Sequence, residues 1–162
     1  MLVDYFFSSI NNFYLERGPY DLISVLDENV SDKPYVKNGR LIDLFDPKLP
    51  VIYEKTVNPG EQAFLFNVDR VENQNQPQVL AAASRVYEEK TDQNSYSFLT
   101  KSPLNTTNVM RVLLPVAPQK CTISSADGTE LKEALWEWDS KSKTCWLSFE
   151  NNPEGVNVRL AW

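Results

Sequence analysis

Histidine is absent from all 162 residues. With it go the commonest general acid and base, the Ser-His and Cys-His nucleophile pairs, and most zinc and iron sites. Cysteine is scarce. Cys121 and Cys145 are too few for a disulfide scaffold and lack the CxxC spacing of a metal site. Positive charge is in deficit, with 16 Lys and Arg against 22 Asp and Glu, a net charge of −6. The excess of cations that holds a phosphate backbone is missing, so no nucleic-acid partner is expected. Long apolar runs are missing too. The opening stretch MLVDYFFSSINNFYLERG has an apolar patch, but Asp4 interrupts it and no basic segment precedes it. It is too short to span a bilayer and reads as a packing segment or a truncated linker over residues 1–18. No GxGxxG, P-loop, GxSxG or HExxH occurs. These absences favour a binding or structural module over an enzyme, with no cofactor.

What is present is core material. Hydrophobic residues make up 42% of the chain and aromatics 12%, enough for one domain at roughly 100–200 residues per domain. Turn signals recur at short intervals with strand-like runs between them. Tyr20–Leu26 is apolar on both faces and suits a buried strand. Leu41–Phe45 and Val51–Val57 follow, separated by Asp46-Pro47 and Leu49-Pro50, which forbid a continuous helix. Asn58-Pro59-Gly60-Glu61 fits a tight turn. Ala63–Val68, Val109–Leu114 and Val156–Trp162 alternate in the manner of half-buried strands. Val79–Glu89 is rich in helix formers. With its sequel it reads instead as a hairpin, a strand followed by a polar turn at Thr91–Asn94 and a second strand Ser95–Thr100. The expectation is an all-β fold, an antiparallel β-sandwich of about ten short strands, with residues 19–162 as a single domain.

The C-terminal part can be registered. If Ala134–Asp139 pairs antiparallel with Thr144–Phe149 about the turn Ser140–Lys143, Trp138 faces Cys145 and Trp136 faces Leu147 on one side. Glu137 then faces Trp146 on the other. The first side is the more apolar, so Trp136 is expected in the core and Trp146 at the surface. Continuing the meander about Asp127-Gly128 pairs Cys121 with Ala134. That would set the two thiols about 13 Å apart along the strands, beyond disulfide reach, and leave them free and buried.

Few residues invite chemistry. Asp43 with Asp46, or Glu137 with Asp139, resembles the paired carboxylates of a glycosidase, and such pairs are abundant in any acidic chain. Asp43 and Asp46 also supply oxygens of the kind Ca²⁺ takes, although an Asp before proline more often caps a turn. Ser140-Lys141-Ser142-Lys143 matches SxxK in letters only, inside a polar turn. Asn29-Val30-Ser31 and Asn105-Thr106-Thr107 fit the short glycosylation sequon. Four tryptophans and seven tyrosines can stack on pyranose rings, but most are needed for the core. Trp146 beside Glu137 is the candidate for a glycan- or partner-binding site.

The strings Arg17–Val51 (RGPYDLISVLDENVSDKPYVKNGRLIDLFDPKLPV) and Val57–Val68 (VNPGEQAFLFNV) resemble β-sandwich portions of large secreted bacterial proteins of polysaccharide breakdown. The closing Ser148–Trp162, with NPEGV as its turn, resembles the final strands of such modules. In these proteins a glycoside-hydrolase-like region is joined to accessory sandwiches. The resemblance implies a non-catalytic accessory module, exported to the periplasm or beyond, that supports an adjacent catalytic domain or binds glycan weakly. It carries over no catalytic residue. A support module should show an apolar patch, with Tyr5, Phe6, Phe7 and Phe13 as candidates, and a lectin-like one an aromatic and polar cleft. The rival is a small glycoside-active enzyme using two carboxylates.

Overall fold

The computed structural model describes residues 12–27 and 33–162. Among them are 13 β-strands, one short 3-10 turn at Val68–Arg70 and no α-helix, and no helix is long and apolar enough to cross a membrane. The all-β expectation holds, in antiparallel sheets throughout. Tyr5, Phe6, Phe7 and the Asn29 sequon lie outside the described residues. The chain falls into two compact units, one comprising residues 1–45 and 50–70, the other residues 46–49 and 71–162.

The first unit is one five-stranded sheet. Its strands are β1 (Asn12–Arg17), β2 (Tyr20–Val25), β3 (Tyr35–Asp43), β4 (Val51–Val57) and β5 (Gln62–Asn67), in the order β1-β2-β5-β3-β4. Alternation puts Ile23, Val25, Leu41, Val57, Ala63 and Leu65 into one buried cluster. β2 is not buried on both faces as its composition implies. Its odd positions, Asp21, Ile23 and Val25, are buried, while Tyr20 and Leu22 are exposed by 38% and 39%. The register of β3 slips between Asn38 and Leu41. Gly39 sits there at φ 141°, and a Cβ would lie 3.3 Å from Asp69 Oδ2. That approach lets Asp69 accept from the Arg40 backbone N–H at 2.9 Å and from Arg40 Nε at 2.5 Å.

The second unit is a sandwich of two four-stranded sheets. One has the order β10-β13-β8-β7 and the other β11-β12-β9-β6. The strands are β6 (Gln78–Ala82), β7 (Arg85–Asp92), β8 (Ser95–Lys101), β9 (Thr107–Leu113), β10 (Lys120–Ser125), β11 (Leu135–Asp139), β12 (Thr144–Glu150) and β13 (Val156–Ala161). Phe98, Ile123 and Val158 from one sheet meet Met110, Val112 and Leu147 from the other in a single core. The hairpin read near residue 92 is β7–β8. The segment Val79–Glu89, however, is not one strand. It breaks at residues 83–84, where the chain crosses from one sheet to the other, and tertiary pairing overrides its helix formers.

The β11–β12 register is the expected one, with Trp138 opposite Cys145, Trp136 opposite Leu147 and Glu137 opposite Trp146. The three-strand meander is not formed. After the Asp127-Gly128 turn only a single bridge, Ser124 to Glu130, joins the two arms. β10 gives its ladder to β13 instead, with Cys121 opposite Leu160 and Ile123 opposite Val158. The alternating C-terminal strand offers β10 six consecutive pairs, and Ile123 is buried there. Cys121 and Cys145 therefore enter one core from opposite sheets, both as free thiols.

Candidate functional site

The tryptophans exchange their expected environments although their register is right. β11 is an edge strand, so the far end of its core-side face runs past its cover. Trp136 is left 40% exposed, while Trp138 packs on the core. Trp146 stands in the middle of its sheet, in a row with Glu137, Arg111 and Ala81. The turn at residues 46–49 closes over this row. Trp146 Nε1 donates to the Lys48 carbonyl at 3.0 Å, and Arg111 Nε donates to the Leu49 carbonyl at 2.7 Å. Trp146 is half-buried beneath that turn and Glu137 is exposed beside it. The two candidates are neighbours, but the indole N–H already has a partner.

Trp136 lies on a groove of about 560 Å³ between β10 and the start of β11. Cys121, Ile123, Leu131 and Ala134 make its apolar floor, and Thr129, Glu130 and Lys132 its polar side. Leu131, Lys132 and Ala134 also line an adjoining hollow of about 490 Å³ with Asn105 and Glu133. Composition hides this site, because Trp136 sits in a core-facing register. No signal for it was legible, because the expected meander puts this strand between two others, and only the pairing of β10 with β13 leaves β11 at an edge.

The carboxylates proposed as pairs are engaged locally. Asp43 accepts from Lys55 Nζ at 2.7 Å and from the Phe45 N–H at 3.1 Å. Asp46 accepts from the Lys48 N–H at 2.9 Å, the turn cap that its proline predicts. Asp139 accepts from the Lys141 N–H at 3.0 Å and the Ser142 hydroxyl at 2.5 Å. Burial alone would raise the Asp139 carboxyl, but these hydrogen bonds and the charge of Arg111 hold it below the ordinary range. Among the described residues no group of three potential ligands gathers around a metal position.

The first unit carries a charge network instead. The Asp21 side chain is fully buried. It accepts from Tyr14 Oη at 2.6 Å and Arg70 Nη2 at 2.5 Å, with Lys37 Nζ 3.4 Å from its other oxygen. Burial pushes this carboxyl up, and the bonds from Tyr14 and Arg70 with the charges of Lys37 and Arg70 more than offset that, so it lies below the usual value. The same burial, with the Asp21 and Glu16 carboxylates, raises the Tyr14 phenol. On the opposite face of the sheet, Tyr20 stacks on Phe64 at 5.7 Å and Phe64 meets Phe45 at 6.2 Å. With Phe13, Leu15 and Leu22, all exposed, they form an apolar sheet face. Comparison with protein-family models, curated proteins and solved structures finds no match.

Proposed function

We propose that the chain is a non-catalytic accessory β-sandwich module of an exported carbohydrate-active protein, with the Trp136 groove as its glycan contact. One observation carries this reading. A large aromatic is left wet at the rim of a groove that has an apolar floor and a hydroxyl, a carboxylate and an ammonium along one side. A pyranose offers the matching pair of surfaces, an axial C–H face for the indole and equatorial hydroxyls for Thr129, Glu130 and Lys132. The Tyr20–Phe64–Phe45 face of the first unit gives a neighbouring catalytic domain an apolar surface to rest on. A glycosidase acid needs a raised carboxyl, whereas Asp21, Asp69 and Asp139 are held low by hydrogen bonds that outweigh their burial.

Tryptophan fluorescence with soluble neutral oligosaccharides tests the reading. Binding should be saturable and should vanish in Trp136→Ala with the melting curve otherwise preserved. Binding that survives the substitution removes the groove from the proposal, and no response from any glycan removes the function.

A further inference from the structure

The outer face of the β10-β13-β8-β7 sheet holds a second hollow, of about 420 Å³. Phe98, Val158 and Ile123 point to the core, so their strand neighbours point outward. The registers align these in rows. Lys90 lies opposite Ser97, Ser97 opposite Arg159, and Arg159 opposite Thr122, a row crossing all four strands. The next row holds Leu99, Asn157 and Ser124. With strands about 4.8 Å apart, the stems of Lys90 and Arg159 stand about 10 Å from each other with Ser97 between them.

Two features mark this face as more than solvated polar surface. In a chain of net charge −6, Lys90 and Arg159 have no carboxylate in ion-pairing range among the described residues, where the pairs fall on Lys37, Arg40, Lys55 and Arg70. The contact of Arg159 is with the Ser95 hydroxyl, at 3.4 Å. The rim is also fixed. β7 bulges between Tyr87 and Lys90, and Glu88 adopts φ 53° there and lines the hollow. The next residue, Glu89, anchors the bulge by accepting from the hydroxyl of buried Tyr96.

We infer that this face binds an anionic saccharide, its charged group held between Lys90 and Arg159 and its hydroxyls met by Ser97, Thr122, Asn157 and Glu88. Guanidinium and ammonium donors flanking a hydroxyl suit a carboxylate or sulfate ester. The amide, hydroxyls and Glu88 suit the ring substituents, and Leu99 gives an apolar contact. The inference rests on reading the sandwich as a glycan-binding module, and its site is distinct from the Trp136 groove.

The test uses the full chain, followed by amide resonances, with three probes: tetragalacturonate, a sulfated galactan tetrasaccharide and a neutral galactan tetrasaccharide. One or both anionic probes should shift the Ser97, Thr122 and Asn157 amides saturably, and which of them does so tells carboxylate from sulfate. Lys90→Gln and Arg159→Gln should each weaken that binding about tenfold, and raised salt should weaken it further. Glu88→Gln, which removes a like charge, should strengthen it, and Trp136→Ala should leave it unchanged. Amide spectra of the variants without ligand confirm that the fold is kept. Neither anionic probe binding, or binding indifferent to both cation substitutions, overturns the inference. If Trp136 ignores every saccharide while Ser97 and Asn157 respond, the groove reading fails and the anionic site stands. Response at Trp136 alone has the opposite meaning.

Discussion

A tryptophan's cost on removal follows its cover, and the two on facing strands differ. Trp146 is half-buried under the 46–49 turn and its indole donates to Lys48. Trp146→Ala should therefore destabilise by about 3 kcal/mol, combining lost packing with an orphaned carbonyl. Trp136, at 40% exposure, should cost only about 1 kcal/mol. Denaturant melts of the two variants give the order, and a larger loss for Trp136→Ala would mean the groove is closed. The thiols make a second case. Burial pushes Cys121 and Cys145 up to about 12, so both stay protonated through neutral pH, and the thiolate is the reactive form. A disulfide-exchange reagent at pH 8 should react slowly with the native chain and find two thiols per chain in denaturant. Rapid native reaction of one thiol would show that the reagent reaches Cys121 through the Trp136 groove, and of both that the core opens.

On the scale of elements, the tie between β1, β2, β3 and the 3-10 turn of the first unit depends on Asp21. Its folded carboxyl lies below the ordinary value near 3.9. The stabilisation is thus complete above roughly pH 5 and is lost as pH falls through the unfolded and then the folded value. Asp21→Asn leaves Arg70 and Lys37 facing a neutral amide. Since these cations keep about a fifth of their surface in water, the loss at pH 7 should be about 2–3 kcal/mol. It should shrink as pH falls through the folded value, below which the parent is protonated as well. Amide exchange of β2 and β5 against pH measures both, and a pH-independent difference would refute the ion-network account. This network was not legible beforehand. Its members sit on β1, β2, β3 and the 3-10 turn, and nothing local in YDLISV marks Asp21 as buried. The β11–β12 hairpin was legible because a short polar turn fixes register and alternation fixes faces. β10 was not, since its partner β13 lies more than thirty residues away in sequence.

For the whole molecule, the absence of histidine and the lowered carboxyls of Asp21, Asp69 and Asp139 point the same way. The purified chain should release no aryl alcohol from a panel of aryl-glycosides between pH 4 and pH 8. Turnover abolished by Asp43→Asn or Glu137→Gln would establish the two-carboxylate enzyme instead. The two chain units also differ in what they expose. The first presents aromatic and aliphatic side chains across a sheet face, while the second closes two sheets on one core and carries polar hollows.

By itself the sequence determined the class of fold and several of its parts. Period-two alternation, prolines at Pro47 and Pro50 and the turn Asn58–Glu61 act through neighbouring residues, and neighbours are what a sequence displays. Val51–Val57 is β4 residue for residue, and the Asn58–Glu61 turn closes with Glu61 N–H donating to Asn58 O at 2.9 Å. Tertiary structure alone decided which strands distant in sequence share a sheet, that the two thiols enter one core from opposite sheets, and which tryptophan stays wet. Those outcomes depend on strand ends, edges and partners far along the chain. A side chain's face is fixed by its neighbour two residues away, whereas its exposure is fixed by whatever the fold places over it.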